Sequence, residues 1–377
     1  MINDYISKYL DRLTYLYIKA NTISKKNKIS HDLLVFTNLY NKIYPNKILP
    51  WDNDIDVINN VLDMELDSTK SILNNIIKDN NIYLNMSNNI IDIYKDTNYP
   101  FYKYPICKYK KVDKYIDKSM YEFLNSYDPY LYNLLINKIK DKEIFYDYNM
   151  NEYNGETHNI EVLNKNFILL EDKNIHTINE NLTIIHEIGH AYEFNLLYNN
   201  KHINSMYTPY YEISSLFFEY AYMNYLKENR LLDREIDMVF DNYYKELLLD
   251  IIDINMLANY FNITEDILVN DNYITINDEE LFNKRNDIKD KLNYYMYLSN
   301  EKKYDFLNTY IYGIGRVLSV ILYDIYKDNP KEFKKEFNIL LNNYSKYDSI
   351  TCFDSIGINK DEIENNNVLK KVLSNLT

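Results

Sequence analysis

Asn179-Glu-Asn-Leu-Thr-Ile-Ile-His186-Glu187-Ile188-Gly189-His190-Ala-Tyr-Glu-Phe-Asn-Leu-Leu-Tyr198 is the stretch from which the rest of this chain is read. On an α-helix, side chains four residues apart lie nearly above one another, so His186 and His190 can aim ring nitrogens at one point. Glu187 stands one step round the helix, where it can face a water held at that point. Two histidine ligands, an acid placed as general base and an open coordination position make up the geometry of a zinc metallopeptidase site. The flanks support a helix. Asn179 or Asn181 can serve as the N-cap, and Glu180 puts negative charge in the first turn. Leu182, Ile185 and Gly189 recur at helical spacing, as do Ile184, Ile188 and Ala191. The pattern predicts a helix buried on most sides. The alternative is a hydrogen-bonded pair of core histidines that binds nothing.

A third ligand is sought downstream. Residues 199–209 read as a loop, with His202 exposed on it. A second long helix then runs from about Tyr210 to Lys227 and places Glu212, Ser215 and Glu219 on one face. Ile213, Leu216, Phe217 and Phe218 surround these carboxylates, which would be costly to bury unpaired. A metal and its imidazoles would satisfy them. Glu212 stands 22 positions after His190 (212 − 190), room for a helix–loop–helix to return to the same point. Glu212 is therefore expected as the third metal ligand and Glu219 as the group orienting a ligand histidine. For Glu219 an ordinary salt bridge is the competing reading.

The bulk properties exclude several functions. A chain of 377 residues can form one large domain or two lobes with a substantial core. Its 46% hydrophobic content and 42 tyrosines mark a folded protein despite the many Asn and Lys. A net charge of −14 argues against binding a phosphate backbone or an anionic membrane surface. Cys107 and Cys352 are far apart and in no C-x-x-C spacing, which reads as two reduced thiols rather than a disulfide or metal site. The first 20 residues are polar and amphipathic, unlike a signal peptide, and no run of about 18 apolar residues offers a membrane span. A cytoplasmic protein without an obligate protein partner is expected.

With only five glycines and long periodic segments, the chain should be mostly helical. Helices are expected over 5–20, from His31 to Ile43, over 113–142 with a break near Pro129, from Asp237 to Ile252 and from Glu280 to Leu298. His31 reads as a solvated or capping residue. The run Ile90-Ile-Asp-Ile-Tyr94 alternates and suggests a strand within an irregular connector over 90–112. Asn151–Glu156, with Gly155, reads as a turn inside a small β element over 146–175, just before the histidine helix. His158 and His176 in that element read as structural or surface residues. Gly313 and Gly315 sit in a helical stretch, where they would allow close approach of another backbone or a substrate. The tail from Phe333 to Thr377 reads as two short helices around Gly357. One rival cluster remains. Asp52, Asp54 and Asp56 after Pro50-Trp51 suggest either a magnesium site for nucleotidyl transfer or an acidic first helical turn.

With these segments in place, the chain resembles the thimet oligopeptidase and oligoendopeptidase F family of zinc peptidases. The resemblance rests on His-Glu-Ile-Gly-His-Ala at 186–191 and on Tyr-Glu-Ile-Ser-Ser-Leu-Phe-Phe-Glu at 211–219. Tyr312-Gly-Ile-Gly315 is similar to the family's Tyr-x-x-Gly segment. The placing of Asp128-Pro129 before the histidine helix and the stretch Ser355-Ile-Gly-Ile358 also look alike. The resemblance implies a mainly α, two-lobed zincin-type metallopeptidase with a small β element before the active-site helix. It divides the chain into a helical N-terminal lobe, 1–112, and a catalytic region, 113–377. It further implies one Zn²⁺ on His186, His190 and Glu212, Glu187 as base, and short peptides as substrates. Tyr312 would hydrogen-bond the developing oxyanion, with Tyr310 as the fallback. The chain departs from the family in its shorter N-terminal part, and in having Leu307 and Asn308 where the family often has a histidine. The rival functions are a catalytically silent helical peptide-binding protein and a magnesium-dependent nucleotidyl-transfer enzyme built on Asp52, Asp54 and Asp56.

Overall fold

Helical spacing in the sequence becomes helix in the computed structural model, which describes residues 2–43, 70, 72–97, 118–147, 154–171, 177–200, 211–231, 233–263, 269–270, 273–292, 303–343 and 349–375. Asp52, Asp54 and Asp56, with Cys107, His176 and His202, lie outside the described residues. Two compact units divide the chain, each built from two stretches: Met1–Thr69 with Lys111–Ile203, and Lys70–Lys110 with Asn204–Thr377. The sequence expectation was a single division at 112/113. Among the described residues no helix is long and apolar enough to cross a membrane.

The first unit holds helices α1 (Ile2–Lys19), α2 (Ile23–Ile43), α4 (Lys118–Tyr127), α5 (Pro129–Lys140) and α6 (Ile178–Asn200), with strands β1 (Ile144–Asp147), β2 (Gly155–Ile160) and β3 (Lys165–Glu171). The break near Pro129 is a helix cap. Asp128 is extended, its carboxylate accepts the Tyr130 N–H at 2.8 Å, and proline fills the first helical position, where no N–H is needed. The strand order is β1-β3-β2, with β3 parallel to β1 and antiparallel to β2. Five successive buried residues, Asn166 to Leu170, show that both faces of β3 are covered. Phe167 and Leu169 join Leu10, Leu13, Leu33 and Phe36 of α1 and α2 in one apolar cluster. The opposite face of β2 and β3 carries α6.

The start of α6 corrects the expected caps. Asn179 and Asn181 both lie inside the helix, and Thr177 caps it. The Thr177 hydroxyl oxygen accepts the Asn179 N–H, and the Glu180 carboxylate accepts the Thr177 N–H in return. The cap oxygen takes the N–H two residues on, while the acid three residues after the cap returns the bond as in a capping box. Asn179 and Asn181 are followed at that distance by Leu182 and Ile184.

The second unit holds α3 (Asn80–Thr97), α7 (Ile213–Glu228), α8 (Asp233–Ile263), α9 (Glu279–Lys291), α10 (Phe306–Asp328), α11 (Pro330–Asn343), α12 (Ser349–Asp354), α13 (Lys360–Asn365) and α14 (Asn367–Ser374). The strand expected at Ile90–Tyr94 is helix α3. Its buried residues include 82, 83, 86, 87, 90, 91, 93 and 94, the spacing of one helical face. The 31-residue α8 is the spine of this unit and packs against α3, α7 and α10. Asn80 Nδ2 donates to the Ala258 carbonyl at 2.9 Å, and the Tyr94 hydroxyl donates to the Tyr244 carbonyl at 2.7 Å. A small antiparallel sheet, β4 (Val269–Asn270), β5 (Tyr273–Thr275) and β6 (Lys303–Asp305), was not expected; strands of two or three residues carry no readable alternation. The tail is four helices rather than two, turning at Gly357, whose φ of 81° suits glycine.

Candidate metal centre

Burial defines where the chemistry on α6 sits. The helix is apolar on nearly every side, and Ile184, Ile185, Ile188 and Ala191 are all buried. That packing leaves His186 half-buried and His190 buried, their rings edge to face with centroids 5.0 Å apart. The i, i+4 spacing thus sets the two rings side by side. Glu187 is 4% exposed and lies against β2. The Thr157 hydroxyl is 2.6 Å from Glu187 Oε2 and 3.1 Å from the Glu187 carbonyl.

Glu212 occupies the position just before the first turn of α7 and is 8% exposed. The Ser215 hydroxyl sits 2.7 Å from Glu212 Oε2 and 2.9 Å from the Glu212 carbonyl, so the serine three residues on fixes this carboxylate. Helix α10 comes close to the same turn at Gly315. A Cβ there would lie 2.6 Å from Leu216 Cδ1 and 3.5 Å from Glu212 Cβ. The two glycines of α10 thus serve helix–helix approach, Gly313 doing the same against Asp250 and Ile254 of α8. Donor atoms of His186, His190 and Glu212, one from each, all lie within 4.8 Å of one another, and these residues could hold a metal ion.

Helix α10 also carries the two candidate tyrosines. Tyr310 is fully buried between Tyr83, at a ring separation of 5.4 Å, and Phe261, at 6.3 Å. Burial pushes its phenol well above the ordinary range, with Tyr83 adding to the effect. The fallback reading took Tyr310 as a substrate contact; its side chain lies in the core of its unit. Tyr312, two residues on, faces away from that core and is half-buried. The Arg316 guanidinium lies over its ring at 5.6 Å. Arg316 is in turn held by Asp250 and by Glu246, the latter at 2.7 Å. Glu219 lies within electrostatic reach of Arg316, Tyr243 and Glu246.

The remaining candidates fall elsewhere. His158 lies 3.0 Å from Glu156, on the strand face turned from Glu187. Cys352 is a buried thiol, in no disulfide among the described residues, 3.4 Å from the Asn343 carbonyl. Thr157 and Gly155, which meet Glu187 from β2, were not singled out in the sequence. Gly155 was read as a turn residue, yet it opens β2. A Cβ on it would lie 3.0 Å from Glu187 Oε1, so the need for glycine is spatial.

No family model and no curated protein matches the sequence. Solved structures do. The chain is similar to a candidate oligoendopeptidase F from Bacillus anthracis str. Ames, at 11% identity and a TM-score of 0.52, over 93% of this chain and 62% of that one. It is similar to a candidate peptidase from Chlamydophila abortus, at 12% identity and a TM-score of 0.52, over 98% and 63% of the two chains. A further candidate oligoendopeptidase F matches at 11% identity and a TM-score of 0.52, over 100% and 65%. The chain has the fold of these structures and spans less than two thirds of their length.

Proposed function

We propose that the chain is a zinc-dependent endopeptidase acting on short peptides, with His186, His190 and Glu212 as ligands to one Zn²⁺. The observation that carries this reading is the convergence of three donor atoms from residues 186, 190 and 212. Two imidazole nitrogens and one carboxylate oxygen are a donor set that would suit a catalytic zinc ion. Zinc held there would supply Lewis acidity and lower the pKa of a bound water from about 15.7 towards 7. Glu187, beside the first ligand and buried against β2, accepts a proton from the water that attacks the scissile carbonyl and later delivers it to the leaving amine. Tyr312 donates a hydrogen bond to the carbonyl oxygen as negative charge develops on it. Its ring is oriented by Arg316. Glu219 orients a ligand histidine. Strand β2 is at the edge of its sheet among the described residues, so an extended peptide can pair with it beside Glu187. The net charge of −14 fits a protein that handles peptides rather than nucleic acid, working in the cytoplasm without an obligate protein partner.

The test is digestion of a mixture of short peptides, with and without a chelator, read by mass spectrometry. Cleavage that the chelator abolishes and added zinc restores is expected. Cleavage indifferent to the chelator, or a zinc-loaded protein that cuts none of the peptides, would overturn the proposal.

A further inference from the structure

Resting on that reading, we infer that Thr157, with Gly155 two residues before it, is a positioning residue that seats the carboxylate of the general base Glu187. The two residues alternate on β2 and share one face. Their partners across the strand pair, Leu170 and Ile168, are on the β3 face opposite the Phe167 and Leu169 that pack on α1 and α2. The shared face therefore looks at α6, and at Glu187 in particular. Thr157 Oγ1 lies 2.6 Å from Glu187 Oε2, the short distance of a hydroxyl donating to a carboxylate. Gly155 leaves the space for the other half of the group: a Cβ there would stand 3.0 Å from Oε1, 3.1 Å from Cγ and 2.7 Å from Thr183 Cγ2.

The seat answers a physical problem. A glutamate side chain has three rotatable bonds, and a carboxylate that is 4% exposed is costly to bury without hydrogen-bond donors. Binding one oxygen to a rigid strand fixes the rotamer while Oε1 stays clear of side-chain atoms on the glycine side. A hydroxyl is suited to the task because it can reverse. While Glu187 is a carboxylate, Thr157 donates to Oε2. Once Glu187 holds the proton taken from water, Thr157 can accept from it and turn its own proton to the Glu187 carbonyl, 3.1 Å away. Threonine on a strand is also stiff at χ1, so the hydroxyl is held in place.

The test uses the zinc-loaded full chain and three proteins: wild type, Thr157→Val and Thr157→Ser. It reads zinc content, kcat and KM on a peptide from the digestion assay, and the Glu187 rotamer in crystals of wild type and Thr157→Val. The valine variant is expected to keep zinc and KM while kcat falls between about tenfold and a hundredfold, the cost of misplacing a reacting group by an ångström or so. The serine variant should restore most of kcat, and Glu187 should leave its wild-type rotamer only in the valine variant. Wild-type kcat in Thr157→Val, equal loss in both variants, or an unmoved Glu187 would overturn the inference. A wild type that holds zinc but cuts no peptide would overturn the peptidase reading alone, since the crystal comparison still decides whether Thr157 seats Glu187.

Discussion

At the scale of single residues, ligands and base can be separated experimentally. Glu187→Gln removes the proton acceptor but neither imidazole, so zinc content should stay at wild type while turnover falls by about a hundredfold or more. His190→Ala removes a proposed ligand and should lose both metal and turnover; full zinc occupancy by elemental analysis would contradict that role. Gly155→Ala puts a methyl 2.7 Å from Thr183 Cγ2 and 3.0 Å from Glu187 Oε1, so it should cost about 1–3 kcal/mol in urea unfolding and lower kcat as well. An unchanged variant would show that the carboxylate does not need that space. The two histidines were legible in the sequence because helix geometry alone relates residues four apart. Thr157 was not legible, since its link to Glu187 spans 30 residues and depends on strand register. Tyr310 and Tyr312 were indistinguishable for a related reason. Which face of α10 meets Tyr83 and Phe261 is settled by packing, not by the local sequence.

At the scale of elements, caps and glycines carry checkable energies. Thr177→Ala removes the hydroxyl that caps α6 and should lower stability by about 1 kcal/mol, with the midpoint of urea unfolding as the readout. The glycines of α10 should respond unequally to alanine. At Gly315 the tightest contact is the far end of Leu216, which can swing aside, and the helix gains roughly 1 kcal/mol in propensity, so the change should be near neutral. At Gly313 the new methyl also meets Asp250 Cβ at 3.0 Å, close to the backbone of α8, and a net loss of about 1–2 kcal/mol is expected. Equal effects at the two positions would contradict the packing described. Long amphipathic helices were legible because their period repeats over many turns. The segment Ile90–Tyr94 was misread because five residues in isolation show alternation, and its period emerges only with Ile82, Tyr83, Met86 and Ser87 included.

At the scale of the whole molecule, stability should carry the mark of one buried cation. The Lys138 ammonium, 2% exposed, donates to the Asn166 carbonyl at 2.6 Å and lies 3.3 Å from Glu143, tying the end of α5 to β3. Burial lowers it from 10.5 to about 8, against the pull of Glu143. Between those values the unfolded chain keeps a proton that the folded chain has released. Folding is therefore favoured increasingly as pH rises through that window. The stability of wild type minus that of Lys138→Met should rise there by at most about 3 kcal/mol, measured by urea unfolding across the window. A flat or falling difference would contradict the burial of that charge. The mainly α architecture with a β element ahead of α6 was readable from the sequence. The interleaving of the two units was not, because contacts between distant stretches leave no local trace. The central claim remains the shared cation, and diffraction from zinc-soaked crystals at the zinc absorption edge tests it most directly. One anomalous peak is expected at about 2.0–2.2 Å from a nitrogen of His186, a nitrogen of His190 and a carboxylate oxygen of Glu212. No peak there, or zinc held by other residues, would contradict the account.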